Sequence, residues 1–138
     1  MASIVYNSFY YGMAIGNIDC ENDSFKMMLV TSSYTASKGH ETRADITNEI
    51  TGTGYTSGGK SVFFSITTDN TNNKVEFNFS DVNWATATFT TRGAVIYKNR
   101  GGVSSADELV CYIDFGANKS PSAETFTVTF GTPINIIN

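Results

Sequence analysis

The segment from Gly54 to Ser61 has the residue spacing of a phosphate-binding loop. Its sequence, GYTSGGKS, satisfies the G-x-x-x-x-G-K-[ST] pattern, in which backbone N–H groups cradle phosphates and the lysine reaches the terminal ones. That chemistry needs a buried strand before the loop and a helix after it, because the helix N-terminus completes the anion site. Here Arg43–Thr51 is polar and Ser61–Thr68 alternates like a strand. We therefore expect a glycine-rich loop that enters a β-strand, and no bound nucleotide.

Three acidic residues, Asp19, Glu21 and Asp23, are spaced two apart, as the oxygen ligands of calcium often are. An EF-hand loop would also need a glycine directly after them and a glutamate at its twelfth position. The sequence has neither at those positions. It therefore predicts a solvated turn before the first strand and no metal site.

The single histidine, His40, lies in a polar stretch beside Gly39 and Glu41. A zinc site would need it to meet Cys20, Cys111 and a further ligand from distant segments, without any local C-x-x-C or H-x-x-x-H spacing. A Ser-His-Asp triad assembles in space and stays open, but no G-x-S-x-G elbow accompanies it. We expect an exposed loop histidine, no catalytic residues and no cofactor, and hence a protein that is not an enzyme.

The two cysteines, Cys20 and Cys111, are predicted to be free and partly buried. Residues Ala2–Tyr11 lack the basic and apolar regions of a secretory signal, so we expect the chain to be made in a reducing cytoplasm. Disulfides are uncommon in that compartment, and the sequence accordingly predicts no disulfide.

The only tryptophan, Trp84, allows two interpretations. An exposed indole would offer a flat apolar face on which a sugar ring can stack. A tryptophan in the core or at its rim would instead hide its ring and bond its N–H. The second interpretation is favoured, because it is the usual role of a lone tryptophan.

Composition and charge exclude several classes of function. The chain has 138 residues, 41% of them apolar, which fits one folded domain rather than a disordered chain. Its net charge is −4 and its nine basic residues are scattered, so it lacks the basic patch that nucleic acid requires. Apolar runs such as Lys26–Val30 are far shorter than the roughly 20 residues of a membrane-spanning helix. We expect neither nucleic-acid nor membrane binding.

Residues 1–17 have a different periodicity from the rest of the chain. Apolar side chains recur at helical spacing, which predicts a short N-terminal helix or docked arm that ends near Gly16; these residues are Tyr6, Phe9, Tyr10 and Met13. Together with Tyr11, the aromatic residues are too many for one side of a short helix. Either they pack in the core of the same chain or some of them contact a partner subunit, and both alternatives stay open.

Residues 18–138 are predicted to form one domain, and from Ser24 onward the sequence changes to a period of two, which is typical of β-strands. The pattern is clearest at Lys74–Ser80, where apolar residues occupy one face and polar residues the other, as in an antiparallel sheet with one wet side. Two helical turns are also indicated at Glu41–Ile50, from the spacing of Ile46 and Ile50. About seven or eight short strands without crossover helices predict a single mainly β domain, an antiparallel β-sandwich or jelly roll. The other predicted strands are Phe25–Thr31, Lys60–Thr68, Ala85–Thr91, Ala94–Lys98, Leu109–Phe115, Glu124–Phe130 and a last edge strand after Pro133.

Several of these segments resemble small virion proteins of tailed bacteriophages. The resemblance is spread over nearly the whole chain, and its motifs are structural rather than catalytic. At Tyr34-Thr35 the family's turn continues with proline, whereas this sequence has Ala36, so that loop is expected to differ. The segments that carry the resemblance are Tyr6–Phe9, Gly16–Asp19, Asp23–Tyr34, Thr47–Gly59, Trp84–Thr88, Arg92–Tyr97, Cys111–Gly116 and Lys119-Ser120.

The resemblance implies a structural protein of the virion, made in the host cytoplasm. Its first implication is a capsid cement or decoration protein that binds the major capsid protein across shell subunits, as a dimer or trimer. The alternative is a tail or head fibre component that recognises a host surface glycan through the loop Asn99–Asp107 with Trp84 or Tyr55. The interface residues we predict are Tyr6, Phe9, Tyr10, Tyr11, Ile134, Ile136 and Ile137.

Overall fold

The computed structural model describes residues 3–130 and 134–137, and within them the chain is mainly β. These residues form one short α-helix, α1, and ten strands, and α1 lies between the first strand and the second. The helix spans Asn7–Ala14, and the strands are β1 (Ile4–Val5), β2 (Phe25–Val30), β3 (Lys60–Val62), β4 (Phe64–Asp69), β5 (Lys74–Phe79), β6 (Val82–Thr88), β7 (Thr91–Lys98), β8 (Leu109–Lys119), β9 (Ser122–Val128) and β10 (Ile134–Ile137). Every pairing among these strands is antiparallel, and the predicted β-sandwich class is confirmed.

The inner layer is a five-stranded sheet in the order β1-β8-β7-β2-β3. Its central strands β2 and β7 are buried on both faces, so their sequences are almost continuously apolar rather than alternating. On β2, Met27 and Leu29 face the sandwich core, whereas Met28 and Val30 face a second apolar cluster on the other side.

The outer layer consists of two smaller sheets, one in the order β10-β5-β4 and one that pairs β6 with β9. The alternation predicted for β5 is confirmed, because Val75, Phe77 and Phe79 all pack toward the sandwich core. Phe64 of β4 contacts Phe25 and Phe79, each with ring centroids 4.6 Å apart, and so joins the two layers. Aromatic pairs of this kind add to the area that the layers bury.

The second face of the five-stranded sheet is covered by residues 31–47, which we call the covering segment. Tyr34 is buried in it, and Ala36 and Ile46 pack on the same cluster as Val95 and Tyr112. The helix predicted at Glu41–Ile50 is therefore wrong, because only a 3₁₀ turn at Arg43–Asp45 forms there. Ile46 joins the cluster under the covering segment whereas Ile50 joins the sandwich core, so their spacing does not mark one helical face.

The predicted N-terminal helix is present as α1, and it packs against the edge of the sandwich. Phe9 is fully buried beside Phe64 and Phe77. Gly12 approaches Ile18 so closely that a Cβ atom would lie 2.5 Å from its side chain. A glycine within the helix is unfavourable by propensity, but here it leaves room for the Ile18 side chain. No helix among the described residues is long and apolar enough to cross a membrane.

The loop before β3 depends on glycine for both conformation and space. Gly59 has φ +79°, and a Cβ atom there would lie 1.8 Å from the Met27 carbonyl oxygen, whereas Gly101 has φ +80° with nothing within 4 Å. We expect Gly101→Ala to cost about 1 kcal/mol of the free energy of unfolding, from backbone strain alone. Gly59→Ala should cost at least about 3 kcal/mol more than Gly101→Ala, because the added methyl group would force β2 and β3 apart. Urea unfolding followed by circular dichroism measures both, and equal losses would contradict the close approach.

Candidate functional site

The phosphate-loop pattern does not form a phosphate site. Gly59 is followed directly by strand β3, as the sequence predicted, so the loop does not continue into the helix that a phosphate site requires. The Lys60 ammonium donates a hydrogen bond to the Asn83 carbonyl oxygen at 2.8 Å and thereby links β3 to β6. The lysine has a structural role that the motif alone does not suggest.

The predicted solvated turn at Asp19 is also present. One Asp19 carboxylate oxygen accepts hydrogen bonds from the backbone N–H groups of Glu21 and Asn22, and the other accepts from the Asn22 amide. The Asn22 side chain is the main reason that the pKa of Asp19 lies below its ordinary value. Asp23 pairs with Lys98 at 2.8 Å. No group of three or more metal-ligating side chains occurs in the described part of the chain.

The prediction of an exposed His40 is wrong. The ring is half-buried, and its Nδ1 lies 2.9 Å from the Tyr34 hydroxyl, which in turn lies 2.8 Å from the Tyr6 hydroxyl. The covering segment folds back over the sheet, so position 40 lies beside the Tyr34 ring instead of in solvent. Burial raises the pKa of both tyrosines, which keeps them as neutral hydrogen-bonding groups.

Both cysteines are free, as predicted, and both are buried rather than partly buried. Burial raises the pKa of Cys20 to about 11 and that of Cys111 to about 12. At neutral pH both are thiols rather than thiolates, and the thiol is the weak nucleophile of the two forms. The Cys20 sulfur lies 4.0 Å from the Met13 sulfur of α1.

Trp84 belongs to the core, as the favoured interpretation predicted, but the hydrogen bond that this interpretation expected for its N–H is absent from the described structure. Trp84 is 1% exposed and packs near Tyr55 and Phe126. The Tyr55 hydroxyl donates to the Glu49 carboxylate at 2.5 Å and accepts from the Leu29 N–H at 3.1 Å. A sugar platform built on Trp84 is therefore wrong, because its ring is hidden, whereas Tyr55 is half-buried and its role in glycan binding stays a prediction.

The indole N–H of Trp84 is buried without a hydrogen-bond partner in the described structure. We expect Trp84→Phe to change the free energy of unfolding by less than about 1 kcal/mol, because loss of the unsatisfied donor offsets the smaller buried area. Trp84→Ala should cost about 3–5 kcal/mol, since it leaves a cavity. Chemical unfolding followed by circular dichroism compares the two variants. A phenylalanine variant as unstable as the alanine variant would contradict this account.

The predicted interface residues fall into three groups. Tyr6 and Phe9 are both 0% exposed, so the core alternative is correct for them and they offer no side-chain surface to a partner. Tyr10 and Tyr11 are 43% and 67% exposed, and their role in an interface stays a prediction. In the C-terminal strand, Ile134 packs partly on the core, and the backbones of Ile136 and Ile137 pair with Val75 and Lys74 of β5.

A largely apolar groove of about 300 Å³ lies between β8 and β9. We call it the β8–β9 groove. Phe115 and Phe126 meet across the two layers with ring centroids 5.9 Å apart, and both remain partly exposed. The residues that line the groove are Ile113, Phe115, Lys119, Phe126, Thr127, Val128 and Thr129.

The strands beside this groove have backbone that no other described strand pairs. β9 pairs with β6 along one edge only, and its other edge is free of strand partners in residues 3–130 and 134–137. In β8, Asp114 and Lys119 each pair with a residue of β7, but the four residues between them pair with none, so β8 forms a bulge there. Gly116, at φ +80°, lies in this bulge, and its N–H bonds the Asp114 carboxylate. Free strand edges next to apolar side chains are templates for another chain.

The sequence gives part of the signal for this site. The alternation of β8 and β9 predicts that Phe115 and Phe126 face inward, and they do. The alternation cannot reveal which strands lie at edges, because an edge strand and a central strand share the same period. No family model, curated protein or solved structure matches the chain.

Proposed function

We propose that this protein is a non-enzymatic structural protein of a tailed-phage virion that binds the assembled capsid as a cement or decoration protein. The observation that carries the proposal is the β8–β9 groove with the unpaired edge of β9 beside it. Such a surface suits adhesion to an extended protein segment, since backbone groups supply affinity and apolar pockets supply fit. The resemblance to virion proteins supplies the biological setting.

In this proposal an extended segment of the major capsid protein adds to β9 and places apolar side chains between Phe115 and Phe126. Such a segment is presented at fixed positions only in the assembled shell. A protein that binds the assembled state and not the free subunits stabilises the shell by mass action. A dimer or trimer would bind several neighbouring subunits at once, and its affinity would rise through the high effective concentration of the second site.

The negative net charge of this chain is consistent with a partner whose surface is basic. The net charge is −4, and Lys119 is the one charged residue that lines the β8–β9 groove within the described chain. Acidic groups elsewhere on the surface would attract a basic shell surface over about one Debye length, roughly 10 Å at 0.1 M salt. Binding to the shell should therefore weaken as salt is raised, while the apolar contact in the groove persists.

The groove is tested by two lysine variants at exposed threonines. Thr127 lies on β9 and lines the groove, whereas Thr67 lies on β4, in the other small sheet, and does not line it. Thr127→Lys should lower the amount of protein bound per particle at least tenfold, because a charge on the edge strand opposes strand addition. Thr67→Lys changes the net charge equally and should bind within about twofold of the parent. Equal occupancy of both variants would contradict the groove as the contact.

The location of this protein on the particle is tested by measuring its copy number in purified virions with quantitative mass spectrometry. A decoration protein should be present in hundreds of copies, and its removal should lower the temperature at which particles rupture. A few copies per particle would contradict the cement function and would favour the fibre alternative. An unchanged rupture temperature would contradict the stabilising role.

A further inference from the structure

A second groove, of about 390 Å³, lies at the opposite end of β8 from Phe115. We call it the α1 groove. The Ser8 hydroxyl donates to the carbonyl of Leu109, the first residue of β8, whereas Phe115 lies six residues further on, about 20 Å away along an extended strand. The two grooves are therefore separate surfaces. The residues that line the α1 groove are Asn7, Ser8, Tyr11, Gly12, Asn17, Gly39, Glu41, Thr42 and Glu108.

The walls of the α1 groove are held in place by hydrogen bonds. The Asn7 N–H donates to the Lys38 carbonyl at 3.0 Å, and the Leu109 N–H donates to the Glu41 carbonyl at 3.0 Å. These bonds join α1 and the covering segment to the start of β8. The groove is thus formed before any ligand arrives, and a ligand would not have to order it.

Some polar groups of the groove are already occupied. The Glu108 carboxylate is bound by the Arg100 guanidinium through two contacts of 2.7 Å, which neutralises its charge and lowers its pKa. The Asn17 carbonyl accepts from the Lys98 ammonium. These groups position the walls and leave little capacity for a ligand.

Other polar groups of the groove are open to solvent. The side chains of Asn7, Asn17, Glu41 and Tyr11 are all exposed, so their polar atoms are accessible to a ligand. The Tyr11 ring is 67% exposed and forms one wall. The groove therefore presents an aromatic face together with amide donors, amide acceptors and one carboxylate acceptor.

This combination of groups selects among ligand classes. A simple cation would use the carboxylate and the ring but would leave the amide N–H groups idle. An anion would be repelled by Glu41. A neutral polyhydroxylated ring both donates and accepts at each hydroxyl, and its C–H face can lie on the aromatic ring. The volume also falls within the roughly 300–1,000 Å³ typical of small-molecule sites.

We propose that the α1 groove binds a neutral carbohydrate unit, with the sugar ring on Tyr11 and its hydroxyls bonded to Asn7, Asn17 and Glu41. This site is independent of capsid binding. On a particle attached through the β8–β9 groove, it would remain free to hold a surface glycan.

The test is an NMR titration of the purified, isotope-labelled full chain with the methyl glycosides of glucose, galactose, mannose and N-acetylglucosamine. At least one glycoside should shift the amide signals of α1, Asn17 and residues 39–42 in a saturable way, with a dissociation constant near the millimolar range. N-acetyl-lysine methyl ester serves as the cationic probe. Binding of that ester in place of every glycoside would overturn the assignment, as would the absence of saturable shifts with all four sugars up to about 50 mM.

Neighbouring tyrosines supply matched variants. Tyr11→Ala should weaken glycoside binding at least tenfold, because it removes the stacking face. Tyr11→Phe keeps that face and should bind within about threefold of the parent. Tyr10→Ala removes an exposed ring that does not line the groove and should leave binding unchanged. Glycoside binding that survives Tyr11→Ala, or that is lost equally in Tyr10→Ala, would overturn the proposal.

Discussion

Burial of both faces of β2 and β7 is the constraint on which the rest of the structure depends. An antiparallel sheet usually leaves one face to water, and a sheet that is apolar on both faces needs a cover on each. The outer layer of β4, β5, β6, β9 and β10 covers one face, with Phe64 packed between the layers. The covering segment covers the other face, although it contains few apolar residues. Polar contacts must therefore hold it in place.

The polar contacts of the covering segment are concentrated at buried acceptors. Asp107 is fully buried and pairs with Arg43 at 2.8 Å, while the Arg43 guanidinium lies 5.1 Å from the centre of the Tyr97 ring. At the other end, the Tyr6 and Tyr34 hydroxyls bond each other beneath His40. Removal of one partner of a buried pair is strongly destabilising, because the other is left uncompensated. These contacts let a polar sequence act as a second layer.

The burial of both faces of the central strands decides which parts of the structure could be predicted from the sequence. Strands with one wet face, such as β5, show a period of two and were predicted from it, as were the free thiols and the buried Trp84. The covering segment could not be predicted, since its contacts join residues far apart in sequence, as Arg43 and Asp107 are. Residues Tyr6 and Phe9 share a helical spacing but enter clusters on opposite sides of the sheet. The two grooves were missed because edges and openings arise only when the layers assemble.

The central claim is that residues 31–47 form a structural layer and not a mobile loop. Native-state hydrogen exchange measured by NMR tests it at the amides of Leu109 and Arg43, which donate to the carbonyls of Glu41 and Asp107. The account predicts that both amides exchange with opening free energies within about 2 kcal/mol of those of Met28 and Val95 in the central strands. Exchange of both amides near the rate of an unfolded peptide, while Met28 and Val95 stay protected, would contradict it.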